Sequence, residues 1–96
     1  MARKYPSLKR AMRKEHVTAV DICKTLHIDP VRPATVYDIN AGKSREWRLW
    51  EMAQIHRVHF PDYDTCDLFD IDEGYLHDAA HEANIELDAY KYLLNW

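Results

Sequence analysis

The sequence predicts an all-α domain, and three observations carry that prediction. Apolar residues recur at i, i+3 and i+4 along most of the 96 residues. No segment shows the apolar–polar alternation of a half-buried strand, and residues that start or stop helices stand at the edges of the apolar stretches. With 47% hydrophobic residues the chain can build one core, and its two glycines and four prolines leave no flexible linker or low-complexity tract.

The first helix is expected from about Ser7 to His16. Pro6 and Ser7 suit a helix start, and Leu8, Ala11 and Met12 form an apolar face opposite Lys9, Arg10, Arg13 and Lys14. Thr18 is expected to cap the second helix, with Asp21 completing a shortened capping box. Ile22, Cys23 and Leu26 then turn inward, and Asp29-Pro30 stops the helix. A third helix should run from Pro33 to Gly42. Val36 and Ile39 face the core, while Ala34, Tyr37, Asp38 and Ala41 fall on the opposite side.

The fourth helix is expected over about Glu46 to His56, with Leu49, Met52 and Ala53 inward and Trp47 and Trp50 on its flank. Pro61 breaks the chain and a short element covers Thr65–Phe69. Asp72 then caps a helix bearing Tyr75, Leu76, Ala79, Ala80 and Ala83. A last helix, about Glu86 to Asn95, brings in Leu87, Tyr90, Leu94 and Trp96. Two divisions follow: a helical core over residues 1–69 and an acidic, aromatic helical extension over 70–96, packing on the core or mediating dimerisation.

No apolar run reaches membrane-spanning length, and MARKYPSLKR lacks the apolar stretch of a signal peptide, so a cytoplasmic protein is expected. In that compartment Cys23 and Cys66 make no disulfide framework. The net charge is −3, but it is unevenly spread. Residues 1–48 hold eleven Lys/Arg against five acids, a charge of +6. Residues 49–96 hold two against eleven, a charge of −9. A basic half suits a polyanionic partner, because phosphate contacts supply most non-specific affinity for nucleic acid.

Residues 8–69 resemble the lambda-repressor-like, Cro/CI-type (XRE) helix-turn-helix family. The resemblance is carried by Leu8-x-x-Ala11, Val17-Thr18-x-x-x-Ile22-Cys23-x-x-Leu26-x-Ile28, Thr35-Val36-x-x-Ile39-x-x-Gly42-Lys43, Leu49-x-x-Met52-Ala53 and Asp67-Leu68-Phe69. It implies a five-helix domain with a C-terminal helical extension, acting on double-stranded DNA as a phage-type transcriptional regulator, in all expectation a homodimer. The third helix would enter the major groove, with Arg32, Pro33, Ala34, Thr35, Tyr37, Asp38 and Asn40 at or near the base edges. Thr18 would meet phosphate from the second helix, and Lys43, Arg45 and Arg48 would hold the backbone beyond the third.

Three features keep a second reading open. The turn between helices two and three is about three residues longer than that family's, His27 stands where a glycine is usual, and Asp38 puts an acid on the groove face. A helix-turn-helix fold reused as a protein-interaction module, an antirepressor or regulator's partner, would suit these features. Its contacts would come from the acidic aromatic C-terminal segment, with exposed rings among Trp47, Trp50, Tyr90, Tyr92 and Trp96 as interface anchors.

Catalysis and cofactors are not expected. His77 and His81 have the i, i+4 spacing of zinc ligands, yet a solvated polar face is the better account, and His56 and His59 near Cys66 raise the question more weakly. The acidic run Asp62, Asp64, Asp67, Asp70, Asp72 lacks a calcium loop's glycine and glutamate in register. No nucleophile–base spacing and no phosphate-cradling glycine loop occurs.

Overall fold

Seven helices and no strand occur among the described residues, 2–82 and 87–95 of this computed structural model. They are α1 (Pro6–Lys14), α2 (Ala19–Thr25), α3 (Pro33–Asn40), α4 (Leu49–His59), α5 (Thr65–Phe69), α6 (Glu73–Glu82) and α7 (Leu87–Asn95). The all-α class holds, with seven helices in place of the five plus an extension that the resemblance implied. The side chains at 80–82, 87, 94 and 95 lie outside the described residues, as do Ala83, Glu86 and Trp96. The expectations for Ala80, His81, Leu87 and Leu94 therefore fall there too. Among the described residues no helix is long and apolar enough to cross a membrane.

Local chemistry sets most boundaries. The capping box at α2 is formed in both directions: Asp21 N–H donates to Thr18 Oγ1 at 3.1 Å, and Thr18 N–H donates to Asp21 Oδ2 at 2.9 Å. Asp64 and Asp72 take the amides of Asp67 and Tyr75 at the starts of α5 and α6. Among the described residues, four helices end in a left-handed residue: His16 after α1, His27 after α2, Gly42 after α3 and Asp70 after α5. In each case the next residue's amide reaches back to a carbonyl in the last turn, as Val17 does to Met12 and Lys43 to Asp38, both at 2.9 Å.

At Gly42 the left-handed backbone is joined by close packing. A Cβ there would stand 2.8 Å from the Ala2 carbonyl oxygen.

The start of α4 corrects the sequence expectation. Glu46, Trp47 and Arg48 precede the helix, which runs on to His59. The Glu51 carboxylate takes the Arg48 amide at 2.9 Å and so fixes Leu49 as the first helical residue. Trp47 is no surface anchor on a helix flank. It is 2% exposed, its amide donating to the Tyr5 hydroxyl and its indole N–H to Asn40 Oδ1, each at 3.0 Å.

One continuous core joins the front of the chain to its end. Leu8, Ile22, Val36, Ile39, Met52, Ile55 and Phe69 share it with Leu76 and Leu93. At the rear, α7 packs on α4. His56 is fully buried there, its Nε2–H donating to the Tyr63 carbonyl at 2.7 Å, which leaves Nδ1 to accept from the Tyr92 hydroxyl at 2.7 Å. Arg57 lies over the Tyr92 ring at 4.6 Å, and Thr65 Oγ1 donates to the Leu93 carbonyl at 3.2 Å. Tyr90 and Tyr92 are thus half-buried and bonded within the chain, Tyr90 to His77 Nδ1 at 2.8 Å.

Candidate nucleic-acid interface

α3 turns its apolar side inward, Val36 and Ile39 being fully buried, and presents Ala34, Tyr37, Asp38 and Ala41 to solvent. Tyr37 is 60% exposed, more than any other large apolar side chain among the described residues. Arg32 is exposed just before the helix, where Pro33 and Thr35 are half-buried, and Lys43 and Arg48 are exposed beyond it. The face proposed from the wheel is therefore open, with cations at both ends.

Two of the expected contact residues are committed elsewhere. Asn40 is 8% exposed and cannot reach a base edge, because its carbonyl receives the Trp47 indole and its amide points at Met12 Sδ at 3.6 Å. Arg45 is locked onto Glu51 by two parallel bonds, Nη1–Oε1 at 2.7 Å and Nη2–Oε2 at 2.9 Å. Glu51 is 3% exposed, and hydrogen bonding to it pushes the Arg45 guanidinium further above its already high range. Arg45 thus neutralises a buried carboxylate and is not a free phosphate ligand. The i, i+6 spacing of Arg45 and Glu51 was visible in the sequence, but nothing there marked Glu51 as buried.

Thr18 is exposed at the head of α2, where its oxygen already accepts the Asp21 amide. The Asp21 carboxylate sits at the same helix end, held below the usual carboxylate range by its bonds to Thr18. The positive end of α2 therefore carries its own anion.

A groove of about 800 Å³ opens between α1, the start of α2 and α3. Its floor is largely apolar, with Met12, Val17 and Ala19. Thr18, Tyr37, Asp38, Asn40 and Lys43 line it together with Lys4, Lys9, Arg13 and His16, which position within the motif did not single out. Lys9 and Arg13 were legible as part of a basic helix face. Their place beside α3 depends on how α1 packs, which no local pattern records.

Two histidines of α4 are held as neutral rings. His59 Nε2 lies 2.6 Å from Thr25 Oγ1, whose own proton goes to the Asp21 carbonyl at 3.0 Å. Burial pushes both His56 and His59 below the ordinary 6.5. Burial also pushes the half-buried Cys66 thiol up, away from the reactive thiolate. Among the described residues no group of three or more His, Cys, Asp or Glu is placed to hold a metal ion.

Comparison with protein-family models, with curated proteins and with solved structures yields no match.

Proposed function

We propose that this protein is a double-stranded DNA-binding transcriptional regulator of the phage or mobile-element repressor type, sequence-specific or semi-specific. In this reading residues 8–69 form a lambda-repressor-like helix-turn-helix that lays α3 in the major groove. The single observation carrying it is the open face of α3, with Ala34, Tyr37 and Asp38 exposed between Arg32 at one end and Lys43 and Arg48 at the other. A helix about 10 Å across suits a major groove about 12 Å wide, and its N-terminal outward residues are those that meet base edges. Ala34 suits a thymine methyl and Asp38 a cytosine amino group. With no Arg, Gln or Asn free on that face, most of the affinity comes from phosphate contacts. Two exposed apolar residues of α4, Trp50 and Val58, support a homodimer on a two-fold site.

Gel shifts with a random-sequence duplex at increasing salt test the reading. Wild-type protein should bind at low salt and weaken steeply as salt rises. The variant Lys43→Glu/Arg48→Glu, with Arg45 kept to hold Glu51, should lose binding while unfolding at the wild-type temperature. Undiminished binding by that folded variant overturns the reading. The interaction-module reading, favoured by the exposed Asp38 on α3, requires stoichiometric capture of one protein together with no duplex binding at low salt.

A further inference from the structure

The cations around the α1–α3 groove form two pairs. Lys9 and Arg13 stand one helical turn apart on α1, at i and i+4. Lys4 and Lys43 stand together at the far end of α3, where the Lys4 Cγ lies 3.0 Å from the position a Cβ on Gly42 would take. All four are exposed, and none enters an ion pair among the described residues. Three other arginines are engaged: Arg3 with Glu46 and Tyr75, Arg45 with Glu51, Arg57 with Tyr92. A chain of net charge −3 thus keeps four positive charges without an ion pair around one groove, where among the described residues Asp38 is the opposing acid and His16 and Tyr37 are the remaining titratable groups on the lining.

Packing geometry says where those charges fall. α1 packs against α3, and packed helices lie about 8–10 Å apart, axis to axis. With α3 filling a major groove about 12 Å wide, a neighbour at that distance lies over the groove's edge, where the phosphates run. The helix that usually supplies such a contact is the one before the recognition helix, through its free N-terminal amides. Here α2 begins with the Asp21 carboxylate bonded to its own cap, which repels phosphate at that position.

We propose that α1 takes over the backbone contact. One phosphate strand crosses the mouth of the groove, gripped by Lys9 and Arg13 on α1 and by Lys4 and Lys43 beyond α3, while the apolar floor and the Tyr37 ring meet sugar faces. This rests on the DNA-binding reading and adds to it which cations set the salt dependence.

Fluorescence anisotropy of a labelled random-sequence duplex of about 20 base pairs, titrated at several KCl concentrations between about 50 and 200 mM, tests it. Each lost phosphate contact lowers the slope of log K against log salt by about 0.9. The pair Lys9→Gln/Arg13→Gln should therefore flatten the slope by nearly two, which amounts to about a tenfold smaller loss of affinity across that salt range. The control is Arg10→Gln/Lys14→Gln. It removes the same charge from α1 on the side facing Tyr63 and Asp67, and should keep the wild-type slope. Thermal melts confirm that both variants fold, every substituted side chain being exposed. Equal slopes in the two variants, or a wild-type slope in Lys9→Gln/Arg13→Gln, overturn the role of α1 while DNA binding stands. Absence of wild-type binding at low salt overturns both.

Discussion

Two connections flank α3, and they are built differently. Residues 41–48, which lead to α4, are tied down from several sides: Gly42 packs on Ala2, Trp47 is buried between Tyr5 and Asn40, Arg45 holds Glu51, and Glu46 meets Arg3 and Tyr75. Residues 26–32, which lead from α2, bury Leu26 and half-bury Ile28 but leave His27, Asp29, Pro30, Val31 and Arg32 exposed. Backbone bonds from Leu26, His27 and Ile28 into the last turn of α2 hold its start, and the Cys23 thiol donates to the Arg32 carbonyl at 3.5 Å. α3 is therefore anchored at its C-terminal end and presented, at its N-terminal end, by a lightly packed loop. A helix that reads DNA with its first turns needs that end exposed. The contrast also separates cations that hold the fold from cations left to solvent.

The sharpest way to break the contrast is to unlock the anchored side. Arg45→Gln leaves the Glu51 carboxylate buried with the Arg48 amide and no cation. Stranding a buried charge costs about 3–5 kcal/mol, and because the Arg45 side chain is 39% exposed the low end applies, about 3 kcal/mol. That is a large part of the 5–15 kcal/mol typical of a domain and corresponds to a fall in Tm of more than about 12 °C. Arg48→Gln, at an exposed position three residues on, should stay within about 0.5 kcal/mol. Circular-dichroism melts read both. Equal stability of the two variants would mean that Arg45 is as idle in the fold as Arg48.

A pH series probes the tie between α4 and the end of α2. His59 grips Thr25, the last residue of α2, and His56 is sealed under Tyr92. Both rings have folded-state values depressed below 6.5 by burial, so the folded protein keeps them neutral to lower pH than the unfolded chain does. The unfolded state then binds more protons as pH falls through 6.5, and stability drops with acid. It is flat above about pH 7.5 and declines below 6.5 by at most about 1.4 kcal/mol per pH unit for each ring, until the folded rings themselves titrate. Urea unfolding between pH 7.5 and 5.5 measures this. His56→Gln and His59→Gln should each shallow the slope whatever they do to absolute stability; two unaltered slopes would show that neither ring is responsible.

The comparison also explains what was legible in the sequence. The Thr18–Asp21 box, Pro33 at the head of α3, Gly42 at its end and the short Thr65–Phe69 helix were readable because each is settled within a few residues of chain. So was the outward face of α3, since a wheel needs only the period. What escaped was contact across the fold. Trp47 is drawn out of a helix by Tyr5, 42 residues earlier, and Asn40 is withdrawn from the surface by Trp47 and by Met12, 28 residues away. Lys9 and Arg13 became groove residues only once α1 was packed beside α3.

The smallest effect lies in the looser connection, at His27. Its φ of 57° is left-handed, a conformation that costs a residue with a Cβ about 1–2 kcal/mol and glycine almost nothing. Ile28 N–H bonds to the Cys23 carbonyl at 2.9 Å across it, so the backbone must adopt that shape whichever side chain is present. His27 itself is exposed, so His27→Gly removes little packing. Glycine adds freedom to the unfolded chain, which offsets part of the relief and leaves a net stabilisation of about 0.5–1 kcal/mol. Gly42→Ala makes the reciprocal change at the anchored connection, where φ is 74° and a new Cβ meets a backbone oxygen, and it should destabilise by more than the strain alone. Opposite signs in the two melts locate the rigid end of α3 at its C-terminus. Destabilisation by His27→Gly would instead mean that the imidazole holds the loop, and that the N-terminal end of α3 is anchored as firmly as the other.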